Sequence, residues 1–222
     1  MSIPTVKLTI TEIEPHTFYA QFENQCDLSH CLMRLQEYYE SPNLAIRGKY
    51  FTLEEFFHAN TSMDGKFDYT YNWIGYNVPG QIVNEWFELF SKSPESLTNK
   101  ESQFFSYFQN IITSHNKWYL IATQRESDKR IINHEIAHAR YYLNVNYLDA
   151  ANKLLNEIPQ DEYLRMFNSL KFMGYSDPFV ADEIQAYLST SNKTEIKHKF
   201  GILSLETYKI ANKFRKLFKN KR

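Results

Sequence analysis

The sequence predicts an α+β fold, on three observations. The first two dozen residues alternate apolar and polar positions, as half-buried strands do. From about residue 129 onward only helical spacing is seen. Glycine is scarce, at six in 222 residues, so packed helices account for the chain better than tight hairpins do. A small mixed sheet with helices in the first part and a helical second part follow from this pattern.

The elements can be placed in order. Val6 to Ile13 carries Val6, Leu8 and Ile10 at alternate positions, and Thr17 to Phe22 does the same less cleanly, so both read as strands. Asp27 is placed to cap a helix through Leu28, Leu32, Leu35 and Tyr39, stopped by Ser41-Pro42. Thr52 and Glu55 have capping-box spacing at the head of a short helix through Phe57. Phe67 to Gly75 is aromatic and strand-like, and Val78-Pro79 opens a helix through Trp86 and Phe90. After the polar stretch Ser91 to Pro94 comes a helix through Phe104, Phe108 and Ile111, then a short apolar strand, Trp118 to Thr123. The turn Gln124 to Asp128 leads into a helix with Ile131, Ile132, Ile136, Ala137 and Tyr141. Helices at roughly 147–157, 161–172, 178–189 and 203–220 complete the chain, with Asp177-Pro178 as a capped start. The organisation expected is an α+β region over 1–116 that shapes access for a substrate, and a helical metal-binding region over 117–222, within one compact domain.

Composition removes several classes of function. A formal net charge of −1 gives no overall attraction to nucleic acid. The few glycines leave almost no room for a phosphate-cradling loop, and Pro79-Gly80 reads as a turn and helix start. Two cysteines, Cys26 and Cys31, are too few for a disulfide scaffold and lack a partner pair at zinc-finger spacing. The start, Met1 to Lys7, shows no basic segment followed by an apolar run, and no apolar stretch has membrane-span length. A cytoplasmic address is the expectation, with secretion by a non-classical route left open.

Chemistry concentrates at His134-Glu135-Ile136-Ala137-His138, an HExxH motif. Residues four apart stand on one helix face, so both imidazoles can aim a nitrogen at one metal ion. Glu135 adjoins the first of them, beside the position where water would sit; the metal lowers that water's pKa and the carboxylate takes its proton. The opposing reading is a pair of surface histidines on an amphipathic helix. A catalytic zinc has three protein ligands and an open position. Tyr141 and Asn144 occupy the positions where a third-histidine pattern would need glycine and histidine, so that pattern is excluded. A carboxylate from a later helix is the other source. Glu183 is the leading candidate, because Val180, Ile184 and Tyr187 make an apolar stripe beside it and a carboxylate buried there needs a partner. Asp149, Glu157, Glu162 and Asp182 are the rivals, and Asp182 lies about 100° around the helix from Glu183.

His134 to Leu143, followed by Ala181 to Leu188, resembles the gluzincin branch of the zincin metallopeptidases. The resemblance spans roughly residues 117–190. It implies a zincin-like fold, Zn2+ on His134, His138 and Glu183, and Glu135 as base and proton shuttle. Gluzincins often carry an aspartate four residues after the ligand glutamate, to orient a ligand histidine; here that position is Tyr187, so either another group, Asp149 or Asp182, does this job or the histidine is held differently. The expected function is zinc-dependent hydrolysis of peptide bonds in a peptide or protein substrate. The alternatives are a non-catalytic zinc-binding effector on the same scaffold and a structural helix bundle. Tyr141, Tyr175 and Tyr187 are candidate donors to a developing oxyanion. The basic run Lys209, Lys213, Arg215, Lys216, Lys219, Lys221, Arg222, interleaved with Ile210, Phe214 and Leu217, reads as an amphipathic helix that caps the fold or contacts an acidic partner.

Overall fold

A computed structural model describes residues 5–220 apart from Pro94, Ser96 and Glu126, and the fold is α+β as expected. The Met1–Pro4 start and the terminal Lys221 and Arg222, on which parts of the sequence reading fall, lie outside the described residues. The chain divides into two compact units, Met1–Ser127 and Asp128–Arg222.

The first unit is built on a four-stranded sheet in the order β1-β2-β4-β3. Strands β1 (Leu8–Glu14) and β2 (Thr17–Phe22) form an antiparallel hairpin. His16 takes a φ of 61° at its turn and donates its backbone N–H to Glu12 Oε1 at 2.7 Å. Helix α1 (Gln25–Glu40) follows, but its cap is Asn24, whose side chain accepts from the Asp27 N–H at 2.8 Å. Asp27, expected in that role, is one turn too late; its carboxylate pairs with Lys100 at 2.9 Å. Helix α2 (Leu53–Asn60) has the Thr52–Glu55 capping box.

The strand expected over Phe67 to Gly75 is not formed. A single helical turn, α3 (Tyr69–Asn72), occupies its middle, and strand β3 begins only at Gly75 (Gly75–Pro79). The reason lies in side chains. The carbonyls of Thr70 and Trp73 both accept from the Gln25 amide, which satisfies groups a strand ladder would otherwise need. Tyr69 meanwhile packs edge-on against Phe56, with ring centroids 5.2 Å apart.

Helix α4 (Gly80–Ser91) starts where Val78-Pro79 forecast, with those two residues ending the edge strand, where proline is tolerated. Gly80 is required there: a Cβ would lie 2.3 Å from the Trp118 indole, and the Gly80 N–H donates to the Trp118 carbonyl at 2.7 Å. Helix α5 (Asn99–Ser114) opens with a second capping box, Thr98 and Glu101. Strand β4 (Tyr119–Gln124) runs parallel to β2 and antiparallel to β3, so both its edges are used. Phe18, Ala20, Phe22, Leu120 and Ala122 point from one sheet face into the core formed with Leu32, Leu35, Trp86, Phe104 and Phe108. Inside this unit Arg34 grips Glu101 through two hydrogen bonds, both side chains being fully buried.

The second unit is helical: α6 (Lys129–Leu143), α7 (Val145–Asn156), α8 (Gln160–Phe172), α9 (Asp177–Thr190), α10 (Lys193–Phe200) and α11 (Leu205–Lys219). Helix α9 is its centre, packing against α6, α7, α8 and α11. Val180, Ile184 and Leu188 supply its buried stripe, and Met166, Leu170, Tyr147, Ile210 and Phe214 close around it. Asp177 is the first residue of α9 and not its cap; Ser176 holds the cap position, and Asp177 pairs with Lys171 at 2.6 Å. Helix α10 was not foreseen, although the Asn192–Glu195 capping box marks its start. Helix α11 is amphipathic as expected, and Ile210, Ala211 and Phe214 bury its apolar face. No described helix is long and apolar enough to cross a membrane.

Candidate metal centre

The site lies within the second unit and is built by α6 and α9. Asp128 fixes the start of α6 by accepting from the Arg130 N–H at 2.8 Å. One turn and a further turn along, His134 and His138 project from the same face, with ring centroids 4.9 Å apart. Glu183 enters from α9, two turns after the Ser176 start. His134 is partly exposed, whereas His138 and Glu183 are buried.

The distances among these three are informative. His134 Nε2 and His138 Nε2 lie 3.3 Å apart. Glu183 Oε1 is 3.5 Å from His138 Nε2, and Glu183 Oε2 is 3.5 Å from His134 Nε2. An ion held tetrahedrally at 2.0–2.1 Å separates its ligand atoms by roughly 3.3–3.4 Å, the edge of that tetrahedron. The side chains stand near ligand spacing, and one ligand atom from each lies within 4.8 Å of the others. Glu183 Oε2 is buried and has no hydrogen-bond partner. A buried carboxylate oxygen left so is costly, and a cation between it and the two imidazoles removes the cost. Two nitrogens and a carboxylate oxygen are a donor set that suits zinc.

Electrostatics give the same picture. Burial opposes charge on the His138 imidazole, yet the Asp182 and Glu183 carboxylates outweigh it and push its pKa well above the ordinary value. Burial likewise opposes the Glu183 charge, and His138 with His134 outweighs it, holding the carboxyl below its ordinary value. The Glu135 carboxylate, buried next to His134 on α6, adds to the field that favours a cation at His138.

A second layer orients His138. Its Nδ1–H donates to Asp182 Oδ1 at 2.9 Å, which leaves Nε2 facing Glu183 and His134. The same Asp182 oxygen accepts from the Gln185 amide at 2.8 Å, and that amide also donates to the Ala137 carbonyl at 3.3 Å. Tyr147 donates its hydroxyl to Gln185 Oε1 at 3.0 Å, which fixes the amide's orientation. Asp182 is therefore placed on the outer nitrogen of His138, one helix position before Glu183, while Tyr187 packs its ring 4.6 Å from the His134 ring.

The other candidates sit elsewhere. Asp149 is exposed on α7, Glu157 pairs with Lys213 at 2.6 Å, and Glu162 accepts from Ser204 and Thr207 at the start of α11. Tyr141 donates its hydroxyl to Asn152 at 2.6 Å, and Tyr175 packs into the core of the second unit. Gln185 and Tyr147 were not singled out from sequence; the i, i+3 spacing of Asp182 and Gln185 was the available signal. No protein-family model, curated protein or solved structure matches the chain.

Proposed function

We propose that this chain is a zinc-dependent metallopeptidase of zincin-like, gluzincin type, with His134, His138 and Glu183 holding Zn2+ and Glu135 as general base. The observation that carries the reading is the convergence of two imidazoles from one HExxH helix with an orphaned, buried carboxylate oxygen from another, at the spacing of tetrahedral ligands. Zinc, when held by His134, His138 and Glu183, would supply a Lewis acid that polarises the scissile carbonyl and makes water more acidic.

The chain's own residues do the rest. Asp182 and Gln185 hold His138 in the tautomer that offers Nε2 inward. Glu135, adjacent to His134 on the same helix, takes a proton from the attacking water and passes it to the leaving amine. Its presence supports this reading over a zinc-binding effector that has lost catalysis. Metal content and turnover of a peptide library, measured for the wild type and Glu135→Gln, test the proposal. The expectation is one zinc per chain in both and cleavage only in the wild type. Zinc in both without cleavage in either would mean a binding protein, and no stoichiometric zinc would remove the site altogether.

A further inference from the structure

Next to the candidate centre, the second unit carries an open groove of about 420 Å³, lined by Arg165, Asn168, Ser169, Phe172, Met173 and Lys199. Phe172 is 94% exposed and Met173 40% exposed, so the groove has an apolar patch that the fold itself leaves uncovered. Neither of its two cations makes a direct ion pair among the described residues, although Arg165 acts at longer range on Glu162 and Lys199 on Glu183. Arg165 spends one N–H on the Ile202 carbonyl at 2.7 Å. Lys199 places Nζ 3.4 Å from Met173 Sδ and 4.6 Å above the Tyr187 ring. Neighbouring bases differ: Lys171 is paired with Asp177 and Lys213 with Glu157. Glu162, one turn before Arg165, hydrogen-bonds to Ser204 and Thr207 and meets the Arg165 charge only at longer range.

Tyr187 joins the groove to the metal centre. One side of its ring faces the Lys199 ammonium, and the ring packs 4.6 Å from the His134 imidazole. The groove wall and the candidate ligand are thus separated by a single aromatic side chain.

We propose that this groove is a subsite for an acidic side chain of the peptide substrate. The proposal rests on the peptidase reading and names the class of substrate that reading leaves open. The carboxylate accepts from Lys199 and Arg165, its methylenes and the adjoining residue cover Phe172 and Met173, and Asn168 and Ser169 meet the peptide backbone. An extended peptide advances about 3.3–3.6 Å per residue, so an acidic residue within roughly three positions of the scissile bond reaches the groove.

The test uses the full chain carrying Glu135→Gln, loaded with zinc, and three pools of fluorescent peptides. The pools are N-acetylated and C-terminally amidated, and differ only in a fixed Glu, Gln or Lys. Binding is read by anisotropy at low and high salt. The Glu pool is expected to bind about ten-fold more tightly than the Gln pool, with the preference shrinking at high salt. Arg165→Glu and Lys199→Glu, made singly, are expected to shift preference toward the Lys pool while zinc content is unchanged. Equal binding of the three pools, or a Glu preference that survives both variants, overturns the subsite. Cleavage by the wild type with no acidic preference overturns the subsite and leaves the peptidase standing. Acidic preference in binding without zinc or cleavage supports the groove and overturns the peptidase.

Discussion

Removing the carboxylate of Asp182 probes the centre without touching a ligand. Asp182 Oδ1 accepts from His138 Nδ1 at 2.9 Å in a place where the imidazole is buried, and from Gln185 at 2.8 Å. Asp182→Ala leaves the Nδ1–H without its acceptor and frees the ring to rotate. Loss of such an orienting group weakens metal binding by about 10- to 100-fold, or roughly 1.4–2.7 kcal/mol. Asp182→Asn keeps an oxygen for both donors and loses only the charge. Charge-assisted hydrogen bonds are roughly twice as strong as neutral ones, so this variant is expected near the ten-fold end. Zinc dissociation constants from competition with a chromophoric chelator at fixed pH, with circular dichroism to verify the fold, give the comparison. Zinc binding by Asp182→Ala as tight as that of the wild type would refute the orienting role, as would a larger loss in Asn than in Ala.

Three further outcomes follow from the packing. Burial raises the Glu162 carboxyl, but hydrogen bonds from Thr207 and Ser204 outweigh it and hold its pKa below the ordinary 4.5. Its stabilisation is then present above about pH 4.5 and is lost as pH falls through the lower folded value; Glu162→Gln should flatten that acid limb and cost about 1–3 kcal/mol at neutral pH, and an unchanged acid-denaturation curve would contradict this. Gly80→Ala puts a methyl 2.3 Å from the Trp118 ring and is expected to cost about 1–3 kcal/mol in urea denaturation, with no loss counting against the close approach. Arg34→Met leaves the Glu101 carboxylate buried without its partner and should cost about 3–5 kcal/mol, whereas a cost below 1 kcal/mol would mean that water reaches the pair.

Much of the fold was legible because its signals are local. The Thr52–Glu55 box, the alternation in Thr17 to Phe22 and the apolar run before Gln124 each act through neighbouring residues. The failures arise where a distant group decides. Phe67 to Gly75 looks like a strand until the Gln25 amide, more than forty positions away, takes the carbonyls of Thr70 and Trp73. Asp27 looks like a cap until Lys100 claims it. Helix α10 is short and polar, so its apolar spacing is weak, and only its Asn192–Glu195 box announces it.

The site divides in the same way. His134 and His138 share a helix, so spacing alone put them on one face. Glu183 came from an apolar stripe beside a carboxylate, and the structure places that carboxylate against both imidazoles. The roles of Asp182 and Gln185 depend on how α9 is rotated against α6, which no local pattern encodes. Strand β4 pairs with β2 on one edge and β3 on the other, so it offers no free backbone ladder for a peptide to join.

X-ray absorption at the zinc edge, taken on the purified chain with its metal content, bears most directly on the centre. One zinc per chain is expected, in a shell of nitrogen and oxygen only, with the signature of two imidazoles and bonds of about 2.0–2.1 Å. A chain that retains no stoichiometric zinc, or a shell containing sulfur from Cys26 or Cys31, would contradict it.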